Sequence, residues 1–339
     1  MQRGFSLVEL MVTIVVALLL LVGIARVFLT SKQSYRVQES TSRMQENIRI
    51  ASDYFSRYLR LADFWGGVPA RDVSIFGSPS YPGPGLCENG WIVDPAAGIV
   101  GYAGAATAPV GLPAGCVAEL NYVAGSDLLA IRYANPDRYV DNATLLSPPS
   151  DPPLIRNGKY YVRTKIGQRA LVFDASTSTV RTDVVNNRLP GTDANGVMNY
   201  QFQAVAFFIQ TQNFGSGPVP TLAMLQLESN RMETEQLVDG IEMLAFAYGL
   251  DTNDDLQVDS YREAGDITNW SQVLSVRVSF IARGDELDNV VDTTEYAMTA
   301  SRCYGPATSS CPMKYSAAAA RFQRRLVIQE IQLRNRVRG

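Results

Sequence analysis

Residues 5–25 read FSLVELMVTIVVALLLLVGIA, and this stretch decides how the chain is built. Glu9 is its one charged residue, and the next charge is Arg26. About 20 apolar helical residues span the ~30 Å hydrocarbon core of a bilayer, whereas a cleaved signal peptide has an apolar region of ~7–15 residues. No A-x-A-like cleavage site follows the stretch. The sequence therefore predicts a retained membrane-spanning helix over residues 5–29.

Glu9 is the unusual residue of this segment. A carboxylate at the centre of a bilayer costs roughly 2.5–3.5 kcal/mol on insertion scales, so acidic residues in spans usually have a partner and a role. The alternative is a carboxylate held at headgroup depth, because Glu9 lies four residues after Phe5. Both interpretations stay open on the residues alone.

Residues 4–10, GFSLVEL, with the apolar run behind them, resemble the class III signal of type IV pilins and type II secretion pseudopilins. The resemblance implies that a prepilin peptidase removes residues 1–4 as a leader, cutting between Gly4 and Phe5, and methylates the new amino terminus. It also implies that Glu9 neutralises the terminal amine of a neighbouring subunit and so sets the register of a filament. A pair between the amine and Glu9 of the same chain is the alternative.

Residues 30–62 continue the helix with a different surface. The first proline is Pro69, and Gly23 is the only glycine between Phe5 and Leu61. An apolar stripe recurs there at spacings of three and four residues: Met44, Ile48, Ala51, Phe55, Leu59 and Ala62. This periodicity indicates one helix of ~85 Å, apolar all round in its first half and amphipathic in its second. The alternative is a signal anchor followed by a coiled stalk.

The remaining residues, 63–339, predict one β-rich globular domain. We expect an α+β fold in which the long helix packs on a mainly antiparallel sheet with extended loops. Strand patterns occur at 127–133, 169–173, 200–210, 222–228, 274–280 and 326–333, and loops are expected at 143–153 and 191–196. The clearest alternation of apolar and polar residues is at 274–280.

Residues 66–115 hold 11 glycines and 7 prolines, which predicts a long irregular excursion rather than a packed element. Two of the four cysteines, Cys87 and Cys116, bracket its second half. Proximity along the chain predicts disulfides Cys87–Cys116 and Cys303–Cys311, although four cysteines allow three connectivities. An even cysteine count suits an oxidising compartment beyond the membrane.

Composition excludes several classes of protein. The 339 residues are 46% hydrophobic and 19% charged, which fits neither wholesale disorder nor a polytopic membrane protein. The chain has no histidine and no C-x-x-C pair, so imidazole-dependent catalysis and common zinc sites are excluded. Carboxylate pairs such as Asp254-Asp255 fall in polar loops without a pocket signal. The sequence therefore predicts no enzyme.

Charge gives little support for nucleic-acid binding, because the net charge is −3. The segment 321–339 nevertheless carries six arginines and one glutamate. It could meet DNA phosphates or an acidic partner. The favoured interpretation is a solvated strand edge followed by a frayed tail.

Oxygen-bearing side chains alternate in one loop, at Asp251, Asn253, Asp255, Gln257 and Asp259. This spacing matches the ligands of a calcium-binding EF-hand loop and predicts a candidate structural calcium site. Leu256 stands where such loops have glycine, and Arg262 stands where they have a bidentate glutamate. The alternative is an empty polar hairpin loop.

Residues 247–253 (AYGLDTN), Trp270, 276–278 (VRV) and the closing 324–335 resemble the minor pilin family PilW. The resemblance implies a minor pilin of type IV pilus assembly, acting in the priming or tip complex. A type II secretion minor pseudopilin and a surface module for DNA uptake or adhesion are the alternatives. Implied partners are other minor pilins, the major pilin, the assembly platform, prepilin peptidase and membrane lipid. The implied location is the bacterial inner membrane with a periplasmic domain, and later the pilus and cell surface.

Overall fold

The computed structural model describes residues 7–77, 87, 89–117, 121–148, 160–214, 217–228 and 231–337. Its first element is helix α1, Leu7–Leu61, whose 55 residues make a rod of about 80 Å. The helix ends where Asp63 adopts a left-handed backbone with φ of 61°. The predicted continuous helix is confirmed over the described residues.

Fifteen strands lie within the described residues. Their bounds are β1 Val73–Phe76, β2 Ile99–Tyr102, β3 Leu128–Val140, β4 Tyr160–Lys165, β5 Arg169–Asp174, β6 Val197–Phe214, β7 Gly217–Glu228, β8 Arg231–Asp239, β9 Ile241–Leu250, β10 Ser260–Arg262, β11 Val273–Leu287, β12 Tyr296–Ala297, β13 Cys303–Pro306, β14 Met313–Tyr315 and β15 Phe322–Gln332. Short helices are α2 Asn89–Ile92, α3 Asn142–Leu146, α4 Ser178–Asp183 and α5 Arg334–Val337.

In this part of the chain the strands form three sheets. The largest has the order β1-β5-β4-β6-β3-β2, and β7 and β8 extend it beside the second part of β6. The second has the order β10-β9-β11-β15, and the third β12-β13-β14. Pairing is antiparallel apart from β1 with β5 and β13 with β14. The predicted α+β class with mainly antiparallel sheets is therefore confirmed.

The second half of α1 packs between the two larger sheets. Phe55 is fully buried, and its ring centre lies 5.3 Å from that of Phe207, 6.1 Å from Phe246 and 5.9 Å from Phe280. These partners come from β6, β9 and β11. The predicted stripe is the packed face: Met44, Ala51, Phe55, Leu59 and Ala62 are buried, and Ile48 packs beside them.

The outer face of the largest sheet has its own core, and this corrects one expectation. Described parts of the 66–115 segment cover that face, with Cys87, Ile92 and Val93 buried against β3, β4 and β6. The prediction that this segment does not pack is therefore wrong for those parts. Its glycines serve close approach as well as turns: a Cβ on Gly101 would lie 1.9 Å from Oη of Tyr248.

Two further expectations need correction. The start of the predicted 143–153 loop is helical, because Asp141 caps α3 by accepting the Thr144 N–H at 2.7 Å. The last strand begins at Phe322 and ends at Gln332, earlier than the predicted 326–333, and α5 follows it. The other predicted strands lie within or closely match β3, β5, β6, β7 and β11, and the 191–196 loop is irregular apart from one short turn.

Candidate assembly surface

The first half of α1 projects from the domain with its apolar surface uncovered. Its large apolar residues from Leu7 to Leu29 are all at least 50% exposed. Ser40 is the first buried residue of the helix, about 50 Å from Leu7. An 18-residue window of this half has a mean hydropathy of 2.9 and none of it is buried. By length and composition, this segment suits a membrane or a bundle of similar helices.

Glu9 lies in the first turn of α1, on this exposed surface. Its carbonyl oxygen accepts the Thr13 hydroxyl at 2.7 Å. Among the residues that the structure describes, no basic side chain lies within ion-pair distance of its carboxylate. The predicted processing residues Gly4 and Phe5 lie outside the described residues.

At the edge of the domain, hydrogen bonds at one turn of α1 hold the helix, and sequence reasoning missed them. Ser40 Oγ accepts the N–H groups of Asp285, at 3.1 Å, and Glu286, at 3.3 Å, at the end of β11. A Cβ on Gly284 would lie 2.7 Å from that Oγ, so glycine permits the contact. Thr41 Oγ1 donates to Gln323 Oε1 of β15 at 2.8 Å. These bonds set the direction in which the exposed half of α1 leaves the domain.

Disulfide bonds join Cys87 to Cys116 and Cys303 to Cys311 in the structure, with Cα separations of 4.8 Å and 5.1 Å. The first bond lies in the core that covers the largest sheet. The second closes the turn between β13 and β14. The described chain thus uses all four of its cysteines in bonds.

The candidate calcium loop binds its own backbone. Asp251 accepts the N–H groups of Asn253, Asp255 and Leu256 at 3.2, 3.3 and 2.8 Å. Asp259 accepts the side-chain and backbone groups of Thr252, and these bonds lower the pKa of its carboxyl. Over the described residues, no group of three or more Asp, Glu, His or Cys side chains is arranged to hold a metal. The calcium site stays a prediction.

The basic C-terminal segment forms the predicted strand edge, because β15 is the edge strand of the second sheet, but residues 334–337 are helical and two of its arginines are buried. Arg324 has a fully buried side chain that donates to both carboxylate oxygens of Glu242, at 2.7 and 3.2 Å. Arg336 donates to Asp63 at 2.6 Å, and both side chains are nearly buried. Two of the arginines are therefore structural, and they do not belong to a free basic surface.

Two family models match the chain. That of Type IV Pilus-assembly protein W, PilW, matches residues 206–335, and that of the prokaryotic N-terminal methylation motif matches residues 1–25. The C-terminal part of the chain is therefore similar to PilW proteins, and its N-terminus carries the methylation motif. A type IV-like pilin from Thermus thermophilus is similar in structure, with 12% identity, a TM-score of 0.23, and coverage of 53% of this chain and 84% of that one. No curated protein sequence matches the chain.

The two matches confirm the resemblance and the broad function. The chain is a membrane-anchored minor pilin of type IV pilus assembly, and it works with other components of the pilus. PilW proteins are structural components of that machinery, so the prediction that the chain is not an enzyme is confirmed. The PilW match begins within β6 and covers the second and third sheets, together with β7 and β8.

Proposed function

We propose that this PilW-like protein first resides in the bacterial inner membrane as a single-pass subunit with its domain in the periplasm. It is then incorporated into a pilus. Residues 1–4 are the leader, 5–29 the span and assembly helix, 30–62 the docked half of the helix and 63–339 the pilin domain. The observation that carries this proposal is the exposed apolar half of α1, continuous with a half that is buried in the domain. The apolar surface of such a helix is stable in contact with lipid, and it can instead pack against the helices of neighbouring subunits.

Glu9 sets the axial offset between neighbouring subunits when their helices pack together. Cleavage before Phe5 creates a cationic amine four residues from Glu9, about one helical turn away. In a medium of low dielectric constant, an unpaired amine and an unpaired carboxylate each carry a large desolvation penalty. An incoming subunit whose Glu9 meets the amine of the preceding subunit removes both penalties at one axial offset. Other offsets leave both groups unpaired.

The size of the domain supports a position at the pilus tip. The two larger sheets pack around α1, and the third sheet and the segment that covers the largest sheet lie outside them. The domain is therefore wide relative to the single helix that stacks in a pilus. Repeated stacking along a shaft would bring such wide domains into collision. We therefore propose a place in the priming complex, with other minor pilins and the major pilin as neighbours, the assembly platform as the loading machine and prepilin peptidase as the processing enzyme.

The deciding experiment isolates sheared surface appendages and sequences the amino end of this chain. We expect the protein in the sheared fraction, beginning at a methylated Phe5. Cells with an inactive prepilin peptidase are the control, and there the chain should begin at Met1 and stay in the membrane. A chain that begins at Met1 in cells with a working peptidase would overturn the proposal.

Structural calcium in the Asp251–Asp259 loop is a separate proposal, supported by the alternating oxygens and by Leu256, whose φ of 64° matches the turn that such loops make at this position. No three of its carboxylates converge in this conformation, so binding would require the loop to rearrange. Calcium should then raise the melting temperature relative to a chelator, and the Asp251→Asn variant should lose that rise. Equal melting temperatures in calcium and in chelator would reject the proposed calcium site.

A further inference from the structure

The residue types along α1 mark the level of the bilayer surface. The apolar residues of the span are interrupted by Arg26 and end at Leu29, and Lys32, Tyr35 and Arg36 follow them. Lysine, arginine and tyrosine at the end of a span sit among the lipid headgroups. Ser40, where the domain grips the helix, lies eleven residues beyond Leu29, or about 16 Å. The headgroup layer therefore faces the underside of the domain around residues 29–37.

The connection between β11 and β12 occupies this level. Leu287 borders a shallow groove with Leu29, Lys32 and Arg36 of α1. Asp288 and Asn289 border a second groove on the same stretch of helix. We call residues 287–291 the basal loop. Its start is held by the Ser40 contacts, so its position relative to α1 is fixed.

Hydrogen bonds from residues 321–323 brace the basal loop. Arg321 Nε donates to the Asp288 carbonyl at 2.8 Å, and the Asp288 N–H donates to the Arg321 carbonyl at 2.7 Å. Gln323 Nε2 donates to the Asp288 carboxylate at 2.8 Å. Arg321 also reaches the Asn289 side chain at 3.2 Å. The loop therefore presents its remaining side chains from a rigid backbone.

Those remaining side chains are apolar and uncovered. Leu287 is 47% exposed, Val290 70% and Val291 55%. Three acids lie beside the loop: Asp285 is 2.9 Å from Arg43, the Asp288 carboxylate accepts the Gln323 amide, and Glu286 borders the same groove as Leu287. An exposed apolar tip on a braced loop suits the boundary between headgroups and acyl chains.

We propose that the basal loop is a second membrane contact, in which Leu287, Val290 and Val291 insert into the headgroup–acyl boundary of the membrane that holds α1. Two separated contacts fix the tilt of the domain over the bilayer, whereas a single helix leaves the domain free to swing. This contact would hold the subunit in one orientation until it is extracted into the pilus. The inference rests on the proposed anchoring of α1 in lipid.

The test uses the full chain in vesicles of phosphatidylethanolamine and phosphatidylglycerol. Because the native cysteines are disulfide-bonded, a single new cysteine can be labelled with an environment-sensitive fluorophore. We expect the label of V290C to be quenched by a lipid with a shallow nitroxide and shielded from aqueous iodide. Ile166 is also apolar and 52% exposed, but it lies beside Gly67 beyond the far end of α1, so I166C is the matched control that iodide should quench.

Two more variants separate the possible results. L19C, within the span, should be quenched by a deep nitroxide, and failure there overturns the anchoring itself. Quenching of L19C with an iodide-accessible V290C overturns the basal-loop contact alone. In the V290C background, V291D should lower the shallow-lipid quenching roughly tenfold without changing the melting temperature. If V290C becomes shielded only when other pilus subunits are added, the loop is a protein interface and the lipid contact is rejected.

Discussion

Arg336, near the end of the chain, donates its Nε–H to Oδ2 of Asp63 at 2.6 Å and so ties α5 to the residue that ends α1. The other oxygen of Asp63 accepts the indole N–H of Trp65 at 2.8 Å. A Cβ on Gly98 would lie 2.1 Å from that oxygen, so the chain passes close over the pair. The first and last residues of the domain are therefore joined by this ion pair, on the side of the domain farthest from the membrane.

Removing the guanidinium tests this lock. Arg336→Ala should lower the free energy of unfolding by about 3 kcal/mol, because it leaves the Asp63 carboxylate buried without its charge partner. Chemical denaturation of the detergent-solubilised chain measures the loss. Arg334, exposed on the same short helix, gives the control Arg334→Ala, which should be close to wild type. Equal losses in the two variants would show that the ion pair contributes nothing specific.

Phe55 tests the docking of α1. Phe55→Ala removes a fully buried ring that contacts three other rings from both sheets, and it should cost about 3–5 kcal/mol of unfolding free energy. Arg60→Ala changes an exposed residue of the same helix and should be nearly silent. The measurement is again chemical denaturation, with protease digestion reporting whether residues 40–62 become accessible. An undiminished stability would contradict the proposed core.

Alkaline pH should unfold the domain through its buried tyrosines. Full burial raises the pKa of Tyr248 well above its ordinary value, and burial raises that of Tyr161 to about 12. Unfolded tyrosines lose their protons near pH 10, so above that pH the unfolded chain binds fewer protons than the folded chain. Stability is therefore complete below about pH 10 and falls as the pH rises toward the raised pKa values. Phenolate absorbance of these residues should appear together with the loss of circular dichroism, and phenolate formation in a folded chain would contradict this.

Patterns of neighbouring residues predicted the elements whose formation depends on nearby sequence. Apolar periodicity and the absence of proline predicted the helix α1, and the alternation of apolar and polar residues predicted strand β11. Strand β9 was missed because all ten of its residues are buried, so it shows no alternation. The packing of residues 89–117 was missed because glycine and proline content does not reveal which distant surface a segment covers.

The site divides in the same way. The processing motif and Glu9 are recognisable because their residues are adjacent in sequence. The burial of Arg324 could not be recognised from the sequence, because its partner Glu242 lies 82 residues away. The basal loop depends on a contact between Ser40 and the end of β11, 245 residues apart, which no local pattern encodes. Ser40 does precede Met44 by one turn on the apolar stripe, and that was the available signal.

Glu9 gives the most direct test of the assembly surface. Glu9→Gln keeps the shape of the side chain and removes its charge, so insertion and cleavage before Phe5 should continue. Incorporation into sheared appendages should fall by roughly tenfold or more, because the incoming subunit can no longer neutralise the amine of its neighbour. Glu39→Ala is the control: this carboxylate lies on the same helix beyond the span, 3.7 Å from Arg43 and half exposed, so its removal should leave incorporation unchanged. Quantitative immunoblots of the sheared and membrane fractions, with amino-terminal sequencing of each, measure both steps. If Glu9→Gln enters appendages as well as wild type does, the carboxylate does not set the register, and shape complementarity between apolar helices must do so instead.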